Sequence, residues 1–120
     1  MGQAMSNGII DNEQISMLIQ GAGVDAVRPI LDAYWESNDE LTAALEKGLA
    51  AGDAEDVART AHGLKGSSAN LGANAVAIRA KEIEMAAKAG DLDAVREHFA
   101  ELAAEISATR AAFERLLAEA

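Results

Sequence analysis

From Val24 to Leu49 the chain sets apolar side chains three and four residues apart: Val24, Val27, Leu31, Tyr34, Leu41, Leu45 and Leu49, with Asn38 the one polar member of the series. At 3.6 residues per turn, that spacing returns each of them to one face of a helix of about seven turns. A strand would bury every second residue instead, and no segment of the sequence alternates for long. The chain is therefore expected to be all-α. Pro29 bears only on where this helix starts, because a proline lacks the amide donor and suits a first turn or a kink.

The same reading continues on both sides. Asp11 reads as an N-cap, with Gln14 three residues on in the manner of a capping box, and a short helix carrying Ile15, Leu18 and Ile19 stops at Gly21–Gly23. A third helix carries Val57, Ala61, Leu64, Ser68 and Leu71 on one face and ends at Gly72. A fourth carries Val76, Ala80, Ile83 and Ala87, and a fifth carries Leu92, Val95, Phe99, Leu102, Ile106, Phe113 and Leu116. Ala51-Gly52-Asp53-Ala54 and Ala89-Gly90-Asp91-Leu92 are matching turns, each with Gly past one helix and Asp capping the next. Four long amphipathic helices with short connections imply an antiparallel up-down four-helix bundle, with the short extra N-terminal helix across one end. The 120 residues fit one such domain over 11–120, after a flexible lead over 1–10. With aromatics at 3%, Ala, Leu, Ile and Val must fill its core.

Composition excludes several functions. A net charge of −10 repels a phosphate backbone, which argues against nucleic-acid binding. The absence of Cys removes disulfides, thiol nucleophiles and Cys-based zinc sites. No run of apolar residues is long enough to span a membrane and no signal peptide is visible, so a cytoplasmic protein is expected.

One segment contradicts its own helix. Arg59 to Gly72 patterns well, yet it contains Gly63 and Gly66, each costing about 1 kcal/mol relative to Ala in a helix interior. On a helical wheel the core residues 57, 61, 64, 68 and 71 centre near 0°, which places Lys65 roughly 80°, Ala69 roughly 120° and His62 roughly 140° away, Gly66 near roughly 180° and Arg59 near roughly 200°. His62 is thus expected to face solvent at mid-helix, with a cation at i+3 and bare backbone at i+4. An imidazole titrates at about pH 6.5, so part of it is neutral and nucleophilic at neutral pH. Lys65 can offset negative charge arriving at the ring, and Gly66 and Ala69 leave room for a large partner. These features suit attack of a ring nitrogen on a phosphoryl group carried by another protein. No second nucleophile stands at catalytic spacing, so the chain reads as a phosphoryl carrier without independent catalytic machinery. His98, with no cation or Gly beside it, reads as structural or merely exposed.

The run Ala61-His62-Gly63-Leu64-Lys65-Gly66-Ser67-Ser68-Ala69-Asn70-Leu71-Gly72-Ala73 resembles the signature of histidine-containing phosphotransfer (HPt) domains of two-component phosphorelays. The likeness extends from about Val24 to Leu117 through helix order and turn positions. It implies that His62 accepts a phosphoryl group from the aspartate of one receiver domain and relays it to another, with Lys65 and Gly66 in supporting positions and Ser67 at a small or hydroxyl position. It also implies response-regulator receivers and a hybrid histidine kinase as partners, a monomeric protein, no cofactor of its own, and Mg2+ in the receiver. Many members carry a polar side chain, often Gln, on the next helix near the ring. Glu84 stands there in this chain, where an acid would repel a phosphoryl group but can orient the unphosphorylated ring. Arg59, Gly63 and Ala69 are the remaining candidates around the site, Arg59 with a surface charge as its simpler reading.

Three other classes fit the residues less well. A di-iron bundle needs Glu-x-x-His pairs, but position 59 is Arg and position 95 is Val. A histidine-kinase dimerisation domain usually has an acid directly after its His, where Gly63 stands here. A non-phosphorylated helical adaptor gives no reason for Gly66.

Overall fold

The computed structural model describes residues 8–120. Five helices follow one another: α1 (Asn12–Ala22), α2 (Val24–Ala51), α3 (Ala54–Leu71), α4 (Asn74–Lys88) and α5 (Leu92–Glu119), and the described residues contain no strand. Helices α2 to α5 run up, down, up and down. α3 lies between α2 and α4, and α4 lies between α3 and α5. The domain measures 44 × 28 × 17 Å, its long axis close to the length of a 28-residue helix.

The turns follow the chemistry of their sequence. Gly52 and Gly90 take φ of 68° and 75°, a left-handed conformation that a side chain would strain. Asp53 and Asp91 then accept the amides of Asp56 and Ala94, each at 3.0 Å. Asp11 caps α1 likewise through the amide of Gln14. The capping box is only half formed, however. Gln14 sends its side-chain amide to the Asn70 carbonyl at 2.6 Å, and the Asp11 amide binds the Gly72 carbonyl at 2.7 Å. Both bonds tie the short helix to the end of the bundle where α3 turns into α4. Pro29 is the sixth residue of α2, beyond the first turn, so the helix starts one turn ahead of it.

The expectation of a flexible lead over 1–10 needs correction at its end. Residues 1–7 lie outside the described residues, but Ile10 is fully buried and the Ile9 carbonyl accepts the Ala75 amide at 3.0 Å. These two residues plug the bundle end beneath the α3–α4 turn. Helical periodicity gave no sign of them because they precede the first helix.

The predicted apolar faces supply the core, including Val27, Leu45, Val57, Leu64, Val76, Ile83, Val95 and Phe113. Trp35 is inside the bundle, edge-on to Tyr34, tilted against Phe113 and covered by the Arg110 guanidinium. Asn38 is buried as well. Its amide reaches the Tyr34 hydroxyl, which shares a 2.6 Å hydrogen bond with Ser68, so the polar residues of the α2 and α3 faces satisfy each other across the interface.

Candidate functional site

α3 directs Ala61, Leu64 and Ser68 inward, and this forces His62 outward at the middle of the helix. Its side chain is 66% exposed. The ring leans toward α4, where Nδ1 lies 3.0 Å from Oε2 of Glu84. Glu84 is itself only 6% exposed and takes two ammonium groups besides: Lys65 Nζ at 3.2 Å on Oε1 and Lys88 Nζ at 3.1 Å on Oε2. Burial alone would push this carboxyl up, but the hydrogen bonds from Lys88, Lys65 and His62 outweigh it and hold Glu84 at about 2. An ionised carboxylate only accepts, so Nδ1 of His62 carries the proton and donates it. In the neutral ring the lone pair therefore sits on Nε2, the nitrogen not engaged by Glu84.

This arrangement answers the concern that Glu84 would repel a phosphoryl group. One carboxylate is matched by two lysines, so the cluster carries a net positive charge with a neutral imidazole. The half-buried Lys65 stands where the motif spacing put it. Gly66 is exposed, and a Cβ added there would meet nothing within 4 Å. Ala69 is exposed on the same side. Gly63 is less open, since a Cβ there would touch Leu41 at 3.9 Å.

Two candidates are turned to local work. Arg59 is paired with Asp56 at 2.7 Å one turn earlier, and the Ser67 hydroxyl returns to the Leu64 carbonyl at 3.2 Å. Neither is hydrogen-bonded to the ring. The sequence reading missed Lys88, for which the signal was available: Glu84 and Lys88 are four apart on one helix, the spacing of a helical ion pair. It also missed an open groove of about 660 Å³ leading up to the ring between the start of α3 and the end of α4. Ala54, Ala58 and Ala87 line it, with Arg59, Lys88 and Glu84 among its polar groups.

His98 is engaged at the same ring nitrogen as His62, but as an acceptor rather than a donor. Its Nδ1 lies 2.8 Å from Nη1 of Arg79, and a guanidinium only donates, so Nδ1 accepts through its lone pair. Arg79 in turn grips Glu105 through two hydrogen bonds of 2.9 Å. The second histidine is thereby locked into an α4–α5 contact. No group of three or more metal-ligating side chains of the kind His, Cys, Asp or Glu gathers among the described residues.

A helical bundle with a solvent-facing imidazole at mid-helix, one ring nitrogen hydrogen-bonded and the other open, fits the histidine phosphotransfer modules that the sequence resembles. The comparisons assign the chain within that class. The Hpt domain family matches residues 29–112, and the chain belongs to it, its function being histidine phosphotransfer in a phosphorelay. The fold matches the crystal structure of histidine-containing phosphotransfer protein B (HptB) from Pseudomonas aeruginosa PAO1, with a TM-score of 0.83, 28% sequence identity, and coverage of 92% of this chain and 96% of that one. Comparison with curated protein sequences gives no match. No helix among the described residues is long and apolar enough to cross a membrane.

Proposed function

We propose that His62 is the phosphoryl-accepting residue, that it reacts through Nε2, and that it relays the group between receiver domains of two-component signalling. The observation that carries this reading is the 3.0 Å bond from Nδ1 to Glu84 on a ring that is otherwise open to solvent. With Nδ1 protonated, the Nε2 lone pair attacks phosphorus. The P–Nε2 bond forms as the P–O bond to the donor aspartate breaks, and that aspartate leaves as a carboxylate. The ring is now cationic, and Glu84 faces its N–H. On relay the P–Nε2 bond breaks toward an acceptor aspartate, and the electron pair returns to Nε2. The leaving group is neutral imidazole, because Nδ1 kept its proton throughout. No proton has to move in either half-reaction. Lys65 balances the charge of the incoming group, and Gly66 lets the partner approach closely. Mg2+ belongs to the receiver in this scheme, and the protein acts as a monomer in the cytoplasm.

Chemical phosphorylation tests the assignment without a partner. Incubation with phosphoramidate, which transfers its phosphoryl group with loss of ammonia, is expected to give an Nε2-phosphohistidine signal in the 31P NMR spectrum. His62→Ala is expected to abolish that signal and to leave helix content unchanged, since most of the side chain is exposed to solvent. Labelling that survives in His62→Ala would overturn the assignment. Transfer from a phosphorylated receiver domain to the wild type, and its loss in the variant, then tests the relay itself.

A further inference from the structure

We propose that Lys88 is a positioning residue that sets the lifetime of the phosphohistidine, by sharing the Glu84 oxygen that binds the His62 ring and so weakening its hold on the ring proton. The inference rests on His62 being the phospho-acceptor and concerns how long the group stays there. Its basis is a shared atom. Oε2 of Glu84 meets both Nδ1 of His62, at 3.0 Å, and Nζ of Lys88, at 3.1 Å, while Oε1 meets Lys65 at 3.2 Å. The ring and Lys88 thus compete for one oxygen.

The competition matters because of how a phosphoimidazole breaks. With Nδ1 protonated the departing group is neutral imidazole. With Nδ1 bare it would be imidazolate, which leaves poorly. A carboxylate on Nδ1 favours the protonated, labile ring, and each lysine on that carboxylate weakens the effect. Lys88 also places a cation at the rim of the groove beside the ring, where it attracts the phosphoryl dianion. Both actions prolong the phosphorylated state. The charged groups around the ring are Glu55, Arg59 and Lys65 on α3 and Glu84 and Lys88 on α4; α2 presents Leu41 near Gly63. Arg59 is bound to Asp56, so Lys65 and Lys88 are the two cations on Glu84. Lys65 precedes the competition on the other oxygen, and Lys88 alone shares the atom that faces the ring.

Lys88 ends α4 with an exposed side chain, so Lys88→Gln is expected to fold as the wild type does. The test uses the whole chain phosphorylated with phosphoramidate, and follows loss of the phosphohistidine 31P signal from about pH 5 to about pH 9. Lys88→Gln is expected to shorten the half-life at neutral pH by about threefold or more, and to move the pH profile of hydrolysis toward higher pH. Lys88→Arg is expected to restore both. In the double variant Glu84→Gln/Lys88→Gln the pH profile is expected to stay where Glu84→Gln alone puts it, because the competition has gone, while loss of the cation beside the phosphoryl group still shortens the half-life. An unchanged half-life and pH profile in Lys88→Gln would overturn the inference while leaving His62 as acceptor, whereas a wild type that takes no phosphoryl group on His62 would remove its foundation.

Discussion

Glu84 gathers His62, Lys65 and Lys88 onto one buried carboxylate, and its charge is held by its neighbours rather than by water. Its folded-state value of about 2 lies below the ordinary 4.5. A group depressed in this way contributes stability that is fully present above the ordinary value and is lost as pH falls through the folded one. The wild type is therefore expected to lose more stability than Glu84→Gln between about pH 5 and about pH 2. Urea unfolding of both proteins across that range checks this, and parallel pH profiles would contradict it. A carboxyl that turns neutral there weakens its bonds to two lysines and a ring N–H at once, so a single protonation removes three charge-assisted contacts. Tyr34 shows the neutral counterpart. Burial raises its phenol above the ordinary value, against hydrogen bonds from Ser68 and Asn38, so it remains a neutral bridge between helices.

Two glycines inside helices separate the reasons an element accepts such a residue. Gly48 sits where α2 meets the start of α3, and a Cβ there would come within 2.9 Å of Val57 Cγ2 and 3.2 Å of Asp56 Oδ2. Packing demands it, and Gly48→Ala is expected to destabilise by about 1–3 kcal/mol. Gly66 has open space instead, so Gly66→Ala is expected to stabilise by up to about 1 kcal/mol. Equilibrium unfolding in urea should show the two opposite signs. Gly66→Leu fits the isolated bundle for the same reason. It is expected to keep labelling of His62 by phosphoramidate and to lose transfer with a receiver domain, since only the larger partner needs the cleared ground. Normal transfer by Gly66→Leu would show that the helix tolerates Gly66 for some other cause.

Across the molecule, charge is sorted by helix. α3 and α4 together carry five basic and four acidic side chains, so the net −10 of the protein arises entirely outside the helix pair that bears the site. Ile78 and Met85, seven residues apart on the outer face of α4, are each 60% exposed, and Lys81 lies on the same side between them. A receiver with acidic groups around its aspartate would be repelled by α2 and α5 and admitted at α3–α4. The rate of association is expected to change several-fold with Lys81→Glu at low salt and little at high salt, which stopped-flow measurements with a receiver domain can read. Equal sensitivity to a charge reversal on the outer face of α5 would remove the orienting role of this sorting.

The sequence by itself determined the helices, their turns and the exposure of His62, because each follows from local rules. Apolar spacing, Gly-Asp turn chemistry and the 100° step per residue act within a few positions of one another, and the His62–Lys65–Gly66 cluster spans little more than one turn. Ile10 and Trp35 in the core, Gln14 reaching Asn70, and the pairing of Asn38 with Tyr34 and Ser68 depended on which segments meet across the bundle. The role of Glu84 depended on the same thing. Its charge alone suggested repulsion, and only the packing of α3 on α4 brought Lys65 from one helix and Lys88 from the other onto a single buried carboxylate, converting an apparent obstacle into the group that orients the ring.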